Sequence, residues 1–189
     1  MTPTPHSEVA EVERTANLLG ALALVVTDRT VDAVASAAEQ SETAAVALSA
    51  LHHFLDRPTV DRLRQVLGLT SSGTVRLVDR LEGAGYVRRS AGADGRATVV
   101  ILTASGRRAA QRVSRARAAV LGDALAILSA AERDVFTDLL SRLLAGLVRD
   151  PDPRATRWLC RLCDTGACGR EDGRCPVHNE VQARLAARS

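Results

Sequence analysis

Apolar residues return every three to four positions through most of this chain, so the pattern predicts a mainly helical protein. From Ser7 to about Gln40 the stripe runs through Val9, Val12, Ala16, Leu19, Leu22, Ala23 and Val26, with Ser7 as cap and Glu8 and Glu11 near the positive helix end. That stripe is too long for one packing contact inside a small domain and suits a helix spanning two subunits. A second helix starts at Ser41, passes through Ala44, Val46, Leu48, Leu51 and Leu55, and stops at Asp56-Arg57-Pro58. His52 and His53 near its end read as dipole-favoured C-terminal histidines.

A third helix opens at Thr59-Val60-Asp61 and ends at Gly68, a residue suited to the left-handed end conformation. Thr70 or Ser71 caps the next helix. On this fourth helix Thr74, Val75, Leu77, Val78 and Leu81 share one side, and Ser72, Arg76, Asp79 and Arg80 share the other. The period then shortens. Tyr86–Arg89 and Thr98–Leu102 are β-formers around a tip in which Asp94-Gly95 provides the turn. Helical periodicity resumes from Thr103 to about Leu121. Its arginines (Arg107, Arg108, Arg112, Arg115, Arg117) spread around the axis, which marks most of them as solvated. Ser129 and Glu132 fit a capping box for a last helix through Val135, Leu139, Leu140, Leu143, Leu144 and Leu147.

Two amphipathic helices separated by a three-residue break have helix-turn-helix spacing, and the hairpin with Arg88, Arg89 and Arg96 adds a wing. One face of the second motif helix can pack on a core while the other enters a DNA major groove. There arginine pairs bidentately with guanine and hydroxyls serve either role. Ser71, Ser72 and Arg76 are the expected base readers, with Arg80 and Arg89 on phosphates.

The strings LTSSGTVRLVDRLEGAGYVRR and ADGRATVVILTASGRR, with the Asp-x-Arg wing at Asp94 and Arg96 and the exit at Leu102, Thr103 and Gly106, resemble the MarR transcriptional regulators over roughly residues 7 to 148. Two positions depart from the usual pattern: Arg64 inside the first motif helix and Gly73 early in the second. The resemblance implies that Arg96 enters the minor groove while Asp94 braces it. It also implies that the first helix and the last two interlock as a dimer base. The expected architecture is therefore a mainly α winged helix-turn-helix with a dimerisation base formed by N- and C-terminal helices. Its parts are an arm and dimerisation helix (1–40), the DNA-binding domain (41–103), further dimerisation helices (104–149) and a tail (150–189). As a homodimer it would meet a palindromic operator on double-stranded DNA with its reading helices about one DNA turn apart (~34 Å).

Composition changes this picture little. The 189 residues are 46% hydrophobic and carry a net charge of +3 with a pI near 9.0, which suits a polyanion partner. Every one of the 25 basic residues is arginine, which a GC-rich genome also produces. No apolar run is long enough to span a membrane and the first residues do not form a secretory leader, so a cytoplasmic protein is expected. Aromatic residues are 2% of the chain, which leaves little to stack on a small effector, and any effector is unknown. No Ser-His-Asp set, paired-carboxylate site or phosphate loop points to an enzyme.

The tail holds different chemistry. After Asp150-Pro151-Asp152-Pro153, all four cysteines fall as Cys160-x2-Cys163-x4-Cys168-x6-Cys175, with His178 three residues on. Thiols in a reducing compartment do not form structural disulfides. Four thiolates in a glycine-containing loop can instead close a tetrahedral shell around zinc, with His178 a possible substitute for Cys175. An iron–sulfur cluster uses the same donors, and a metal-free thiol switch between Cys160 and Cys163 is a further redox-sensing alternative. A thiol oxidoreductase is the remote reading, because Trp158 is misplaced and no βαβ pattern surrounds the pair. The metal site could be structural or sensing, and a tail this short is expected to draw its folding energy from the metal rather than from a core of its own.

Overall fold

The computed structural model describes residues 5–92, 97–150, 152 and 155–188. In chain order it contains α1 (Pro5–Ala38), α2 (Glu42–His53), α3 (Val60–Leu67), α4 (Ser71–Gly83), β1 (Val87–Ala91), β2 (Thr98–Leu102), α5 (Ala104–Leu125), α6 (Ala130–Gly146) and α7 (Pro176–Ala186). A 3-10 turn at Ala155–Trp158 precedes α7.

α2 is the centre of the fold. Every residue from Ala44 to Leu51 is buried, and four of these eight are alanine. Small side chains let α1 and α5 pack closely against a helix that has no solvent face. Val34 of α1, Leu48 of α2, Leu63 and Val66 of α3, Val78 and Leu81 of α4, Val100 of β2 and Val113 of α5 complete one core.

The helix ends obey local chemistry. Thr59 Oγ1 accepts the Arg62 amide at 3.1 Å to start α3, and Gly68 ends it at φ 65° with its own amide bonded to the Arg64 carbonyl. Of the two expected caps for α4, Thr70 takes the role: its hydroxyl accepts the Gly73 amide at 3.1 Å. The capping box of Ser129 and Glu132 is formed in both directions.

β1 and β2 pair antiparallel, with Val87 opposite Leu102 and Arg89 opposite Val100. Pro58 and Thr59 add a feature that periodicity does not reveal. Val100 donates its amide to the Pro58 carbonyl at 2.9 Å, and Thr59 bridges Val99. The wing base is thereby tied to the start of α3.

Several expectations change. Val75 is 46% exposed, while Thr74 is fully buried with its hydroxyl bonded to the Thr70 carbonyl at 2.9 Å. The stripe that packs is 74-77-78-81, and position 75 falls at its margin. α5 continues to Leu125, beyond the expected end near Leu121. The tail has a small core after all: Val148, Cys160, Cys175, Val177 and Val181 pack together, with α7 lying on the end of α6. Conversely, the apolar stripes of α1 (Val9, Val12, Leu19, Leu22) and α6 (Val135, Leu139, Leu143, Leu147) stand exposed.

Candidate nucleic-acid interface and thiol cluster

α4 presents its polar face outward. Ser71, Ser72, Arg76, Asp79 and Arg80 are exposed, opposite buried Thr74, Leu77, Val78 and Leu81. Arg80 also donates to Ser41 Oγ at 3.2 Å, at the N-terminal cap of α2. Arg89 is differently placed. Its guanidinium lies 2.5 Å from Asp79 and pairs with Glu82, and its amide donates to Glu82 Oε1 at 2.8 Å. The Arg89 amide, and then its guanidinium, hold the Glu82 carboxyl below the usual carboxylate range. Arg89 thus staples wing to reading helix, and its charge is balanced within the chain. Asp94 and Arg96 at the wing tip lie outside the described residues.

The wing exit explains its own residues. Thr103 accepts the Gly106 amide at 3.0 Å, starting α5, and donates to the Gly85 carbonyl at 2.7 Å. A Cβ at Gly106 would stand 1.9 Å from the Tyr86 carbonyl oxygen, so the helix can approach the α4–β1 turn only with glycine there.

The four cysteines are free thiols gathered in one cluster, Cys160 and Cys175 buried, Cys163 and Cys168 partly so. Cys163 and Cys168 pack against the buried pair Cys160 and Cys175. The Cys163 amide closes a turn onto the Cys160 carbonyl at 2.8 Å. The neighbouring Cys163 and burial push the Cys160 thiol up. The neighbouring Cys160, helped by Arg117 and Arg161 and opposed by burial and Asp164, brings the Cys163 thiol down. Burial and the neighbouring Cys175 push the Cys168 thiol up to about 12. Among the described residues no three His, Cys, Asp or Glu side chains converge on one metal position. His178 turns Nδ1 to the Arg170 guanidinium at 3.1 Å.

Arginines surround the thiols, with Asp164 the opposing carboxylate at Cys163. Arg170 acts on Cys160 and Cys168, Arg117 and Arg161 on Cys163. Arg157 beside Cys160 is pushed down by burial and by Arg170 and Arg62, and its Nε is a buried donor without an acceptor. Sequence reading missed the link between this cluster and α2. Thr165 donates to the His53 carbonyl at 3.0 Å, and Asp164 Oδ1 lies 3.7 Å from His53 Nδ1. Nothing in the local pattern separates His53 from an ordinary helix-end histidine.

A helical core, a helix with a polar outer face and a two-stranded wing define a winged helix-turn-helix fold. Residues 40–97 match the model of the MarR family, whose members are transcription regulators rather than enzymes. A MarR family protein of Bacillus stearothermophilus is similar in structure at 26% identity and a TM-score of 0.64, over 78% of this chain and 100% of that one. A MarR family protein of Mycobacterium tuberculosis, solved with p-aminosalicylic acid, is 26% identical with a TM-score of 0.54 over 68% and 96% of the two chains. MepR of Staphylococcus aureus, as a mutant bound to an oligodeoxyribonucleotide, shares the fold at 18% identity and a TM-score of 0.54, over 70% and 97%. None of the curated proteins compared by sequence matches the chain. Among the described residues no helix is long and apolar enough to cross a membrane.

Proposed function

We propose that the chain binds a palindromic operator on double-stranded DNA as a homodimer. The observation that carries this reading is the row Ser71, Ser72, Arg76 and Arg80, exposed on a helix whose other side is locked into the core. Ser71, Ser72 and Arg76 contact base edges, Arg80 lies along phosphates, and Arg96 with Asp94 serves the minor groove, while Arg89 holds the wing to α4 through Asp79 and Glu82 instead of taking a phosphate. Dimerisation is supported by the exposed apolar stripes of α1 and α6, which a second copy covers. The structural relative MepR, seen on an oligodeoxyribonucleotide, supports the nucleic-acid partner. Selection of binding sites from random duplexes, with the mass of the complex measured in solution, tests this reading. A two-fold symmetric site bound by two chains is expected; an asymmetric site or a single bound chain rejects it.

In the same proposal the tail holds one zinc ion on Cys160, Cys163, Cys168 and Cys175. Two features support it. The four thiols pack in one small cluster, so a metal would have to draw them only a short way onto one position. The surrounding arginines, including the unsatisfied Arg157 Nε, compensate the net negative charge of a tetrathiolate centre. When bound, zinc would contribute folding free energy rather than reactivity. Elemental analysis and an absorption spectrum of protein purified without oxygen decide the occupant. One colourless zinc per chain is expected. Iron with sulfide would assign a cluster, and no metal would leave a thiol redox switch.

A further inference from the structure

The last turn of a helix ends on carbonyls that no later helical amide can pair. At the end of α2 two such carbonyls take their partners from the tail. Thr165 Oγ1 donates to the His53 carbonyl at 3.0 Å, and Arg157 Nη1 to the Phe54 carbonyl at 3.4 Å. The Arg157 guanidinium also lies 5.2 Å over the Phe54 ring. His53 is held on two sides, by Ser114 Oγ of α5 at 2.8 Å from Nε2 and by Asp164 at 3.7 Å from Nδ1.

The residues that grip α2 are chain neighbours of the thiols. Asp164 and Thr165 directly follow Cys163, and Arg157 precedes Cys160 by one turn. Asp164 also builds the loop that carries Cys168. Its Oδ1 accepts the Gly166 and Ala167 amides at 2.9 and 3.1 Å, and its carbonyl accepts the Cys168 amide at 3.0 Å. The shape of the cysteine loop and its hold on α2 are therefore one arrangement. On the other side, the segment leaving α2 leads through Pro58 and Thr59, which pair with the wing, directly into α3. The gripped helix end is the point from which the helix-turn-helix hangs.

We propose that the cysteine loop is a clamp on the C-terminal end of α2, through which the state of the thiols sets the position of the DNA-reading motif. This rests on the reading of the cysteines as a metal site and adds what that site controls. Two states are defined: a closed one with Thr165 and Arg157 on the α2 carbonyls, and an open one in which the loop around Asp164 is reshaped and water takes those carbonyls. Zinc that fixes the thiols selects one loop shape and so one clamp state. The coupling is reciprocal, so DNA that prefers one clamp state must change zinc affinity by the same factor.

The test is amide hydrogen exchange of the full chain, with zinc content measured in parallel. The reporting amides are Phe54 and Leu55, both bonded to the Ala50 carbonyl, and α6 serves as control for global loosening. Zinc is expected to slow exchange at these amides at least tenfold in the unmodified chain. The Thr165→Val variant, which keeps all four thiols and the Asp164 loop, should take up zinc equally and lose most of that protection. Zinc uptake without a change at Phe54 and Leu55, or with the same change in Thr165→Val, overturns the clamp and leaves the metal site standing. If the unmodified chain takes up no zinc but Cys160→Ser with Cys163→Ser still accelerates exchange there, the metal reading fails and the clamp stands on the thiols alone. Neither uptake nor acceleration overturns both.

Discussion

Thr103 caps α5 by accepting the amide of Gly106 at 3.0 Å, and Gly106 is the one residue type that lets the capped turn sit against the Tyr86 carbonyl. A methyl group there would meet that oxygen at 1.9 Å, so backbone must move. Gly106→Ala is expected to destabilise by about 3 kcal/mol or more, since the clash is with main chain rather than a flexible side chain. Thr103→Ala should cost about 1–2 kcal/mol, a lost helix cap. Chemical denaturation of the two variants checks the order; equal costs would mean that the turn gives way more easily than the contact implies.

Arg76 and Arg80 sit one turn apart on the outer face of α4 but should fail differently. Arg76→Ala is expected to cost about 1–3 kcal/mol on the selected operator and to relax preference at one base pair. Arg80→Ala should weaken selected and scrambled duplexes alike and lower the salt slope by about 1. Titrations at several salt concentrations on both duplexes separate the two roles, and equal loss of Arg76→Ala on scrambled DNA would remove its base-reading assignment.

Arg89 meets Asp79 and Glu82 before it meets any phosphate. With its charge already balanced, Arg89→Ala should change the salt slope less than Arg80→Ala does, while loosening the wing. Exchange protection in β1 and β2 reports the second effect. A slope change equal to that of Arg80→Ala would make Arg89 a direct phosphate ligand.

Leu143 is 54% exposed in the middle of the α6 stripe. Leu143→Asp places a charge where a second copy would exclude water, and dissociation by tenfold or more is expected from the cost of burying it unpaired. Sedimentation at micromolar concentration gives the answer, and an unchanged dimer would move the interface elsewhere.

Burial holds the His53 imidazole below the ordinary histidine range; Asp164 opposes this, and His52 and Arg117 add to it. The folded chain then binds a proton at His53 less readily than the unfolded chain. Stability from this site is complete above about pH 6.5 and falls as the pH drops below it toward the folded value. Between pH 7.5 and 5.5 the melting temperature of the unmodified chain should fall further than that of His53→Gln. Parallel curves would show that the neighbouring carboxylate cancels the burial.

The elements of the DNA-binding domain were legible because their signals are local. Thr59, Gly68, Thr70 and Ser129 act within one turn of themselves, and the wing strands follow a period of two. The four-cysteine spacing likewise announced a cluster, since chain length alone keeps those thiols close. By contrast, Val75 was misplaced because a residue at the margin of a stripe is settled by its neighbours across the interface. α7 and the small tail core were missed because Val177 and Val181 acquire meaning only against Val148.

By itself, then, the sequence determined the helical periods, their caps, the hairpin, the polar face of α4 and the grouping of thiols, all of which depend on residues near one another in the chain. The tertiary structure alone decided that Pro58 and Thr59 join the wing, that Arg89 is spent on Asp79 and Glu82, and that Asp164 and Thr165 reach back to His53. Those contacts join positions up to 112 residues apart, where geometry follows from how the core packs and not from any pattern along the chain.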